Sequence, residues 1–582
     1  MKMLKTIYSN LIDNLGEWNP QFLREIKGRL TKRNVALISG LSLMGQLLLY
    51  LYFKARLPVS EIVKAYDNNY SNRYCVGHPP TNWYGYENTP SYIPNNFCIK
   101  DLLGNLVIMK DLWWLDLFTT MSIIGIFVLL VVGSYMLIAD LSKEERSGTL
   151  NFIRLSPQSA MSIFVGKMLG VPILMYLFGL IAFPLHLVAG LSANIPLHLI
   201  LAFYLVLAAS CVFFYTAAIA YSLVSLSLGS FQAWLGSAAI FFFTLAMIPV
   251  TLESHSSLSE SSFDWLVLFY PGTALFYLVK STFLNPDTIN YLNHESLTNL
   301  SWYGRHLWQN PVTGIAFMMV NYTVWSFWLT QGLKRRFHNP LTTIITKKDS
   351  YFLSACFIIF NLGFTFQQTD NYHLHESFQI LQLLNFGLFL MLIAALSPHR
   401  QSLQDWARYR HQKPKHSRSL IQDLIFGEKS PAVLAIALNL ALITIYTLPA
   451  VFLSPLKGYR IAVLTGLLVS AMIILIYATV VQLMVSLKTN KRGLFALGSM
   501  AALTIVPVSC FALFGIDPSD GSLLWLFSFL PSVATEYVSL STLLGAVLTQ
   551  IAVIAALNYQ MTRLVRQVGM SPTKALLSEA KI

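Results

Sequence analysis

Few residues in this chain have the types and spacing to do chemistry. A phosphate-binding GxxxxGK[ST] loop is absent: Gly166-Lys167 lacks the preceding glycine and the following hydroxyl that cradle phosphates, so any ATP hydrolysis must come from another chain. No HExxH zinc pattern occurs either. His373-Leu374-His375-Glu376 has the wrong order and sits at the edge of an apolar run, so two nearby histidines could bind a metal, but no metal site is expected. Asp111 and Asp116 are the only carboxylates at the outer membrane face that could serve a membrane enzyme using a lipid-linked sugar donor. Cys75 and Cys98 share one outer loop and could close a disulfide if that side is oxidising. Cys211, Cys356 and Cys510 fall in apolar runs and read as small packing residues. The densest charged stretch is Asp140 to Lys167, an insert carrying Glu144, Glu145, Arg146 and Arg154 between two long apolar runs. Catalytic, cofactor-binding and metal-ligating residues are therefore expected to be none.

The elements that must position these residues are membrane helices. The 582 residues are 55% hydrophobic and 12% charged, against the roughly 25% charged share usual for a soluble protein. Crossing the roughly 30 Å hydrocarbon core takes about 20 helical residues. About twelve apolar runs fit, near 35–53, 114–138, 169–191, 199–227, 233–252, 312–333, 351–366, 378–396, 433–454, 461–487, 494–514 and 539–557. The fold class expected is all-α, a polytopic helical bundle. The first 34 residues carry seven Lys or Arg and no compact apolar core ending in a small-residue cleavage site, so a retained first span is expected. With the N-terminus inside, the inner segments hold 30 of the 40 Lys and Arg, which places both termini in the cytosol. The net charge of +13 then reads as an orientation signal and a face for anionic lipids, not as a nucleic-acid surface.

Local signals place the short elements. Asn19-Pro20 opens a stretch whose Phe22, Leu23, Ile26 and Leu30 share one helical face, which predicts an amphipathic helix in the headgroup layer within a cytosolic segment 1–34. In the charged insert, Ser142 with Glu145 reads as a capping box and Ser156-Pro157 as a second helix start, giving two short helices that present Glu144, Glu145, Arg146 and Arg154 to water. Lys167 and Asp116 sit near opposite span ends, where both should reach headgroups. The outer loop 54–112 is rich in aromatic residues such as Trp83, Tyr84 and Tyr86, a pattern that suits sugar stacking and, more commonly, interface anchoring. Segment 262–284 is broken at Pro271-Gly272 and predicts a re-entrant pair of half-helices. Asn321, Asn361, Asn385, Asn439, Gln482 and Gln550 lie mid-span and must find partners inside the protein.

The order Glu145-Arg146-x-Gly148-Thr149-Leu150, a few residues, Ser156-Pro157, then Gly166-Lys167 before the next span resembles the permease subunits of ABC-2 type ABC transporters. The plain alternative is a solvated surface loop. The resemblance implies that Glu144, Glu145, Arg146, Gly148, Thr149, Leu150, Ser156 and Pro157, within a coupling segment 140–167, dock on a cytosolic ABC ATPase, and that 19–34 is an elbow helix. It implies a six-span transmembrane domain over 35–340. Residues 341–582 echo it: Trp525 to Pro531 repeats the spacing of Trp265 to Pro271, and Gln560 to Arg566 resembles Gln331 to Arg336, which predicts a diverged second six-span half. The second half lacks the coupling order. The expected function is a non-enzymatic permease that forms a translocation path for export of a substrate across the plasma (inner) membrane, with ATP bound and hydrolysed only by the partner. Membrane lipids are expected partners, and a second permease chain is needed if one chain does not supply both halves of the path. The alternatives are a glycosyltransferase-like membrane enzyme and a secondary transporter, the latter disfavoured because no ionisable residue sits at mid-depth.

Overall fold

Apolar runs of this length have one way to satisfy their backbone in hydrocarbon, by closing every N–H and C=O within a helix. The computed structural model describes residues 14–59, 71–77, 97–103, 105–225, 229–252, 261–282, 284, 289, 291, 294–367, 371–412, 419–520 and 522–569. Among them the chain is helical, and the β pairing consists of isolated bridges. Among the described residues eleven helices are long and apolar enough to cross a membrane, and the chain is an integral membrane protein with an all-α fold. The expected run at 351–366 does form a helix, Lys347–Thr365, but it opens on Lys347, Lys348 and Asp349 and is not among the eleven. The aromatic cluster at Trp83–Tyr86 and the basic residues Lys413, Lys415 and Arg418 lie outside the described residues.

The chain divides into two compact units, the first comprising Met1–Ser257, Val267–Thr298 and Gln309–Ser326, the second Leu258–Leu266, Asn299–Trp308 and Phe327–Ile582. In the first, α1 (Pro20–Arg29) precedes α2 (Lys32–Ala55) and the long α3 (Lys110–Arg146). Two short helices follow, α4 (Thr149–Arg154) and α5 (Ala160–Gly170), then α6 (Ile173–Ser192), α7 (Leu197–Val224) and α8 (Phe231–Leu252). The segment broken at Pro271 forms a 3-10 turn, Pro271–Ala274, and a short helix, Leu275–Lys280, before α9 (Pro311–His338), which belongs to this unit up to Ser326 and to the second from Phe327. At 1.5 Å per residue the 37 residues of α3 extend about 55 Å, longer than a roughly 30 Å hydrocarbon core is thick, and the helix is charged at both ends, with Lys110 and Asp111 at one and Lys143 to Arg146 at the other. A π-helical turn, Val128–Val132, interrupts α3, and the Tyr215 hydroxyl donates to the Leu129 carbonyl there (2.7 Å).

In the second unit, α10 (Lys347–Thr365) and α11 (Asn371–Leu396) precede two short helices, α12 (Arg400–Gln412) and α13 (Leu420–Phe426). Then come α14 (Val433–Leu453), α15 (Arg460–Val485), α16 (Arg492–Phe514), a 3-10 turn at Pro531–Val533, and α17 (Leu540–Gly569). All six mid-span amides are buried. Asn439, for example, donates to the Ser350 hydroxyl (3.0 Å) and accepts from Ser354 (2.7 Å), tying α14 to α10.

Candidate functional site

The charged insert is built differently from its local signals. Ser142 and Glu145 do not cap a helix start. α3 runs unbroken through both to Arg146 because Leu137, Ile138 and Leu141 keep burying one face, and the Ser142 hydroxyl donates instead to the Gly229 carbonyl (3.0 Å). The break falls at Gly148, whose φ of 73° is the left-handed conformation that glycine adopts without a Cβ penalty. Ser156-Pro157 does not open a helix either. The Ser156 hydroxyl donates back to the Ile153 carbonyl at the end of α4 (2.7 Å), and the N-cap of α5 is Ser159, which accepts from the Ser162 amide (3.2 Å).

Glu144 and Lys167, expected at the surface, are both buried. The Lys167 side chain is 0% exposed and meets three carboxylates: Asp140 Oδ2 at 2.7 Å, Glu144 Oε2 at 2.8 Å and Glu25 Oε1 at 3.5 Å. Arg29 pairs with Asp140 and with Glu25, and Arg24 reaches Glu144 at 3.1 Å. Three acids and three cations thus balance where α1, the end of α3 and α5 converge. Desolvation alone would lower the Lys167 ammonium, but Asp140, Glu144 and Glu25 outweigh it and hold its pKa above the ordinary lysine value. The three carboxylates have oxygens within 4.8 Å of one another, a spacing that could hold a metal ion. The Lys167 ammonium already pairs with one oxygen of each, so the cluster is a salt-bridged clasp.

Two glycines allow the clasp to close. A Cβ on Gly166 would lie 2.6 Å from Asn19 Oδ1, and one on Gly170 2.5 Å from Glu25 Cβ, so α5 meets α1 backbone to backbone through a small-xxx-small pair. Asn19 caps α1 by accepting from the Phe22 amide (2.9 Å) and donates its own Nδ2 to the Ser162 carbonyl (2.7 Å). α1 therefore buries Gln21 and Glu25 against α5, with the half-buried Phe22 beside Gly170, and leaves Leu23 and Ile26 half-buried as well.

On this base sits the turn 147–159. Leu150 and Ile153 face inward at i, i+3 spacing, the Thr149 hydroxyl donates to the Glu144 carbonyl (3.2 Å), and Arg154 pairs with Glu145 (3.6 Å). Arg146 and Pro157 are exposed, as are Phe152 (77%) and Leu155 (84%), two large apolar side chains on an otherwise polar turn. Sequence reasoning missed both, and missed the pairing of Glu25, Asp140 and Lys167. A signal existed for the first: Leu150 and Ile153 satisfy the buried face of a six-residue helix, which leaves Phe152 with nothing to cover.

The other expected sites are placed plainly. Cys75 and Cys98 form a disulfide, with Cα atoms 4.7 Å apart. Asp116 does not reach headgroups: its oxygens accept from Arg73 (2.8 and 3.1 Å), Tyr74 (3.0 Å) and Tyr291 (2.9 Å), which leaves little of it for a reacting group. Asp111 accepts from Asn194 (3.0 Å). His375 pairs with Glu536. In the second unit, Arg410 on α12 pairs with Asp423 on α13 (3.0 Å), and Lys347 lies buried beneath α13. Compared with known protein families, curated proteins and solved structures, the chain matches none.

Proposed function

We infer that the chain is the permease subunit of an ABC-2 type transporter, moving a substrate, by resemblance outward, with ATP hydrolysed on separate cytosolic ABC ATPase subunits. The observation that carries this reading is the turn 147–159, which offers Phe152 and Leu155 beside exposed Arg146 on a base clamped by the Lys167 clasp. An exposed apolar pair rimmed by charge suits a docking knob, and a push on it would reach α1 and α3 together. ATP can drive such a change only by favouring one of two states of the complex.

Several features support the finer points. The run of spans, paired short helices, further spans and a 3-10 break follows the same order in both units, in keeping with two six-span copies. The Cys75–Cys98 disulfide suits an oxidising outer side, in keeping with cytosolic termini and a plasma (inner) membrane location. The crowding of Asp116 disfavours the membrane-enzyme alternative.

Affinity purification of the tagged full chain in mild detergent tests the reading. A co-purifying ATPase that is lost on Phe152→Asp with Leu155→Asp is the expected result. Transport by the chain alone under an ion gradient, with no ATPase bound, would overturn it.

A further inference from the structure

Between α2, α3, α6 and α7 the first unit forms a half-open cavity of about 510 Å³, within the roughly 300–1,000 Å³ of small-molecule sites, with Leu48 and Leu180 exposed at its rim. None of its lining residues is Asp, Glu, Lys or Arg. All four helices are long and apolar enough to cross a membrane, and the α2 and α3 residues that line the cavity fall in the middle of those helices, so a molecule dissolved in lipid can reach it from the side. Three glycines on three helices, Gly45, Gly125 and Gly179, face it, and a Cβ on any of them would meet no atom within 4 Å. The space is therefore left by residue choice and not by a packing conflict. The π-helical turn of α3 contributes Val128 and Leu129 to the wall, a deviation frequent at functional sites.

Of its polar lining, Ser42, Gln46 and Tyr176 donate to the Phe178, Ile181 and Met168 carbonyls, and the remainder gathers around one histidine. His186 is buried, with Nε2 2.8 Å from Ser122 Oγ and Nδ1 2.7 Å from the Tyr204 hydroxyl. Ser122 spends its own proton on the Phe118 carbonyl (2.8 Å), so the network assigns Nε2–H as donor to Ser122 and Tyr204 O–H as donor to Nδ1. The imidazole is then neutral with both nitrogens satisfied, and the Tyr204 oxygen keeps acceptor capacity beside the apolar walls. We propose that this cavity binds a neutral, membrane-dissolved amphiphile, its hydroxyl headgroup donating to Tyr204 and its hydrocarbon chain lying along Gly45, Gly125 and Gly179. A charged headgroup is excluded because the walls offer no counter-charge to offset its desolvation. The inference stands apart from the ATPase reading.

The test is photolabelling of the full chain in nanodiscs with a diazirine-bearing hexadecanol, followed by mapping of the adducts. Labelling should concentrate in 121–129 and 175–186, fall about tenfold in Tyr204→Phe, the loss expected for about 1.4 kcal/mol of binding, and disappear in Gly125→Leu, which fills the space. Excess unlabelled hexadecanol should compete and palmitate should not. Gly545→Leu, also in open space but on α17, should label normally. Labelling spread evenly over the outer helix faces, or unchanged in either Tyr204→Phe or Gly125→Leu, would overturn the proposal.

Discussion

Each unit buries one lysine beside its pair of short helices, and the two are held by opposite means. Lys167 sits among Asp140, Glu144 and Glu25, while Lys347 donates to the Leu424 carbonyl (2.8 Å), the Pro431 carbonyl (2.9 Å) and the Ser430 hydroxyl (2.7 Å). Carboxylates keep the first lysine charged. Desolvation, only partly offset by Asp423, pulls the second down to about 7. The difference teaches what each corner is for: an ionic clasp binds three helices at once and fixes a base under an exposed turn, whereas neutral acceptors pin α13 to the start of α10.

Substitution separates the two most sharply. Lys167→Met leaves three acids facing one another with only Arg24 and Arg29 to offset them, and should cost about 3–5 kcal/mol, read as a lowered unfolding midpoint in detergent. Lys347→Met leaves two carbonyls and a hydroxyl without their donor but strands no charge, and should cost about 1–3 kcal/mol in the same measurement. Equal losses would remove the distinction.

The pH dependence sharpens it. Lys347 has a folded pKa near 7 against about 10.4 for a free lysine, so between those values the unfolded chain binds the extra proton and stability rises with pH. Lys167 has a raised folded pKa, so its contribution is fully present below the free value, flat across that window, and lost only at higher pH. Lys347→Met should therefore flatten the slope of the unfolding midpoint between pH 7 and 10, and Lys167→Met should leave it intact. The smallest effect is expected at the surface: Phe152→Ser with Leu155→Ser should change stability by less than about 0.5 kcal/mol, since both side chains are already out of the core.

Much of the architecture was legible because membrane helices advertise themselves by length and apolarity, and the Asn19-Pro20 start was readable because an Asx cap followed by proline has a local cause. The clasp was not, since nothing in the spacing of Glu25, Asp140 and Lys167 says that Gly166 and Gly170 let α1 close on α5. The capping box at Ser142 misled for a related reason: local hydrogen bonding competes with packing, and the buried face of α3 won. Lys347 was hidden in the same way, because its partners are backbone carbonyls that no residue type announces.

The docking role proposed for the turn 147–159 is tested most directly by crosslinking from its apex. A photoreactive benzoylphenylalanine placed at Phe152 in native membranes should capture an ATP-binding protein, and the same probe at exposed Tyr409 on α12 of the second unit should capture less of it. Capture of lipid alone at Phe152, or labelling of a Phe152→Cys variant by a membrane-impermeant thiol reagent added from outside the cell, would contradict the account.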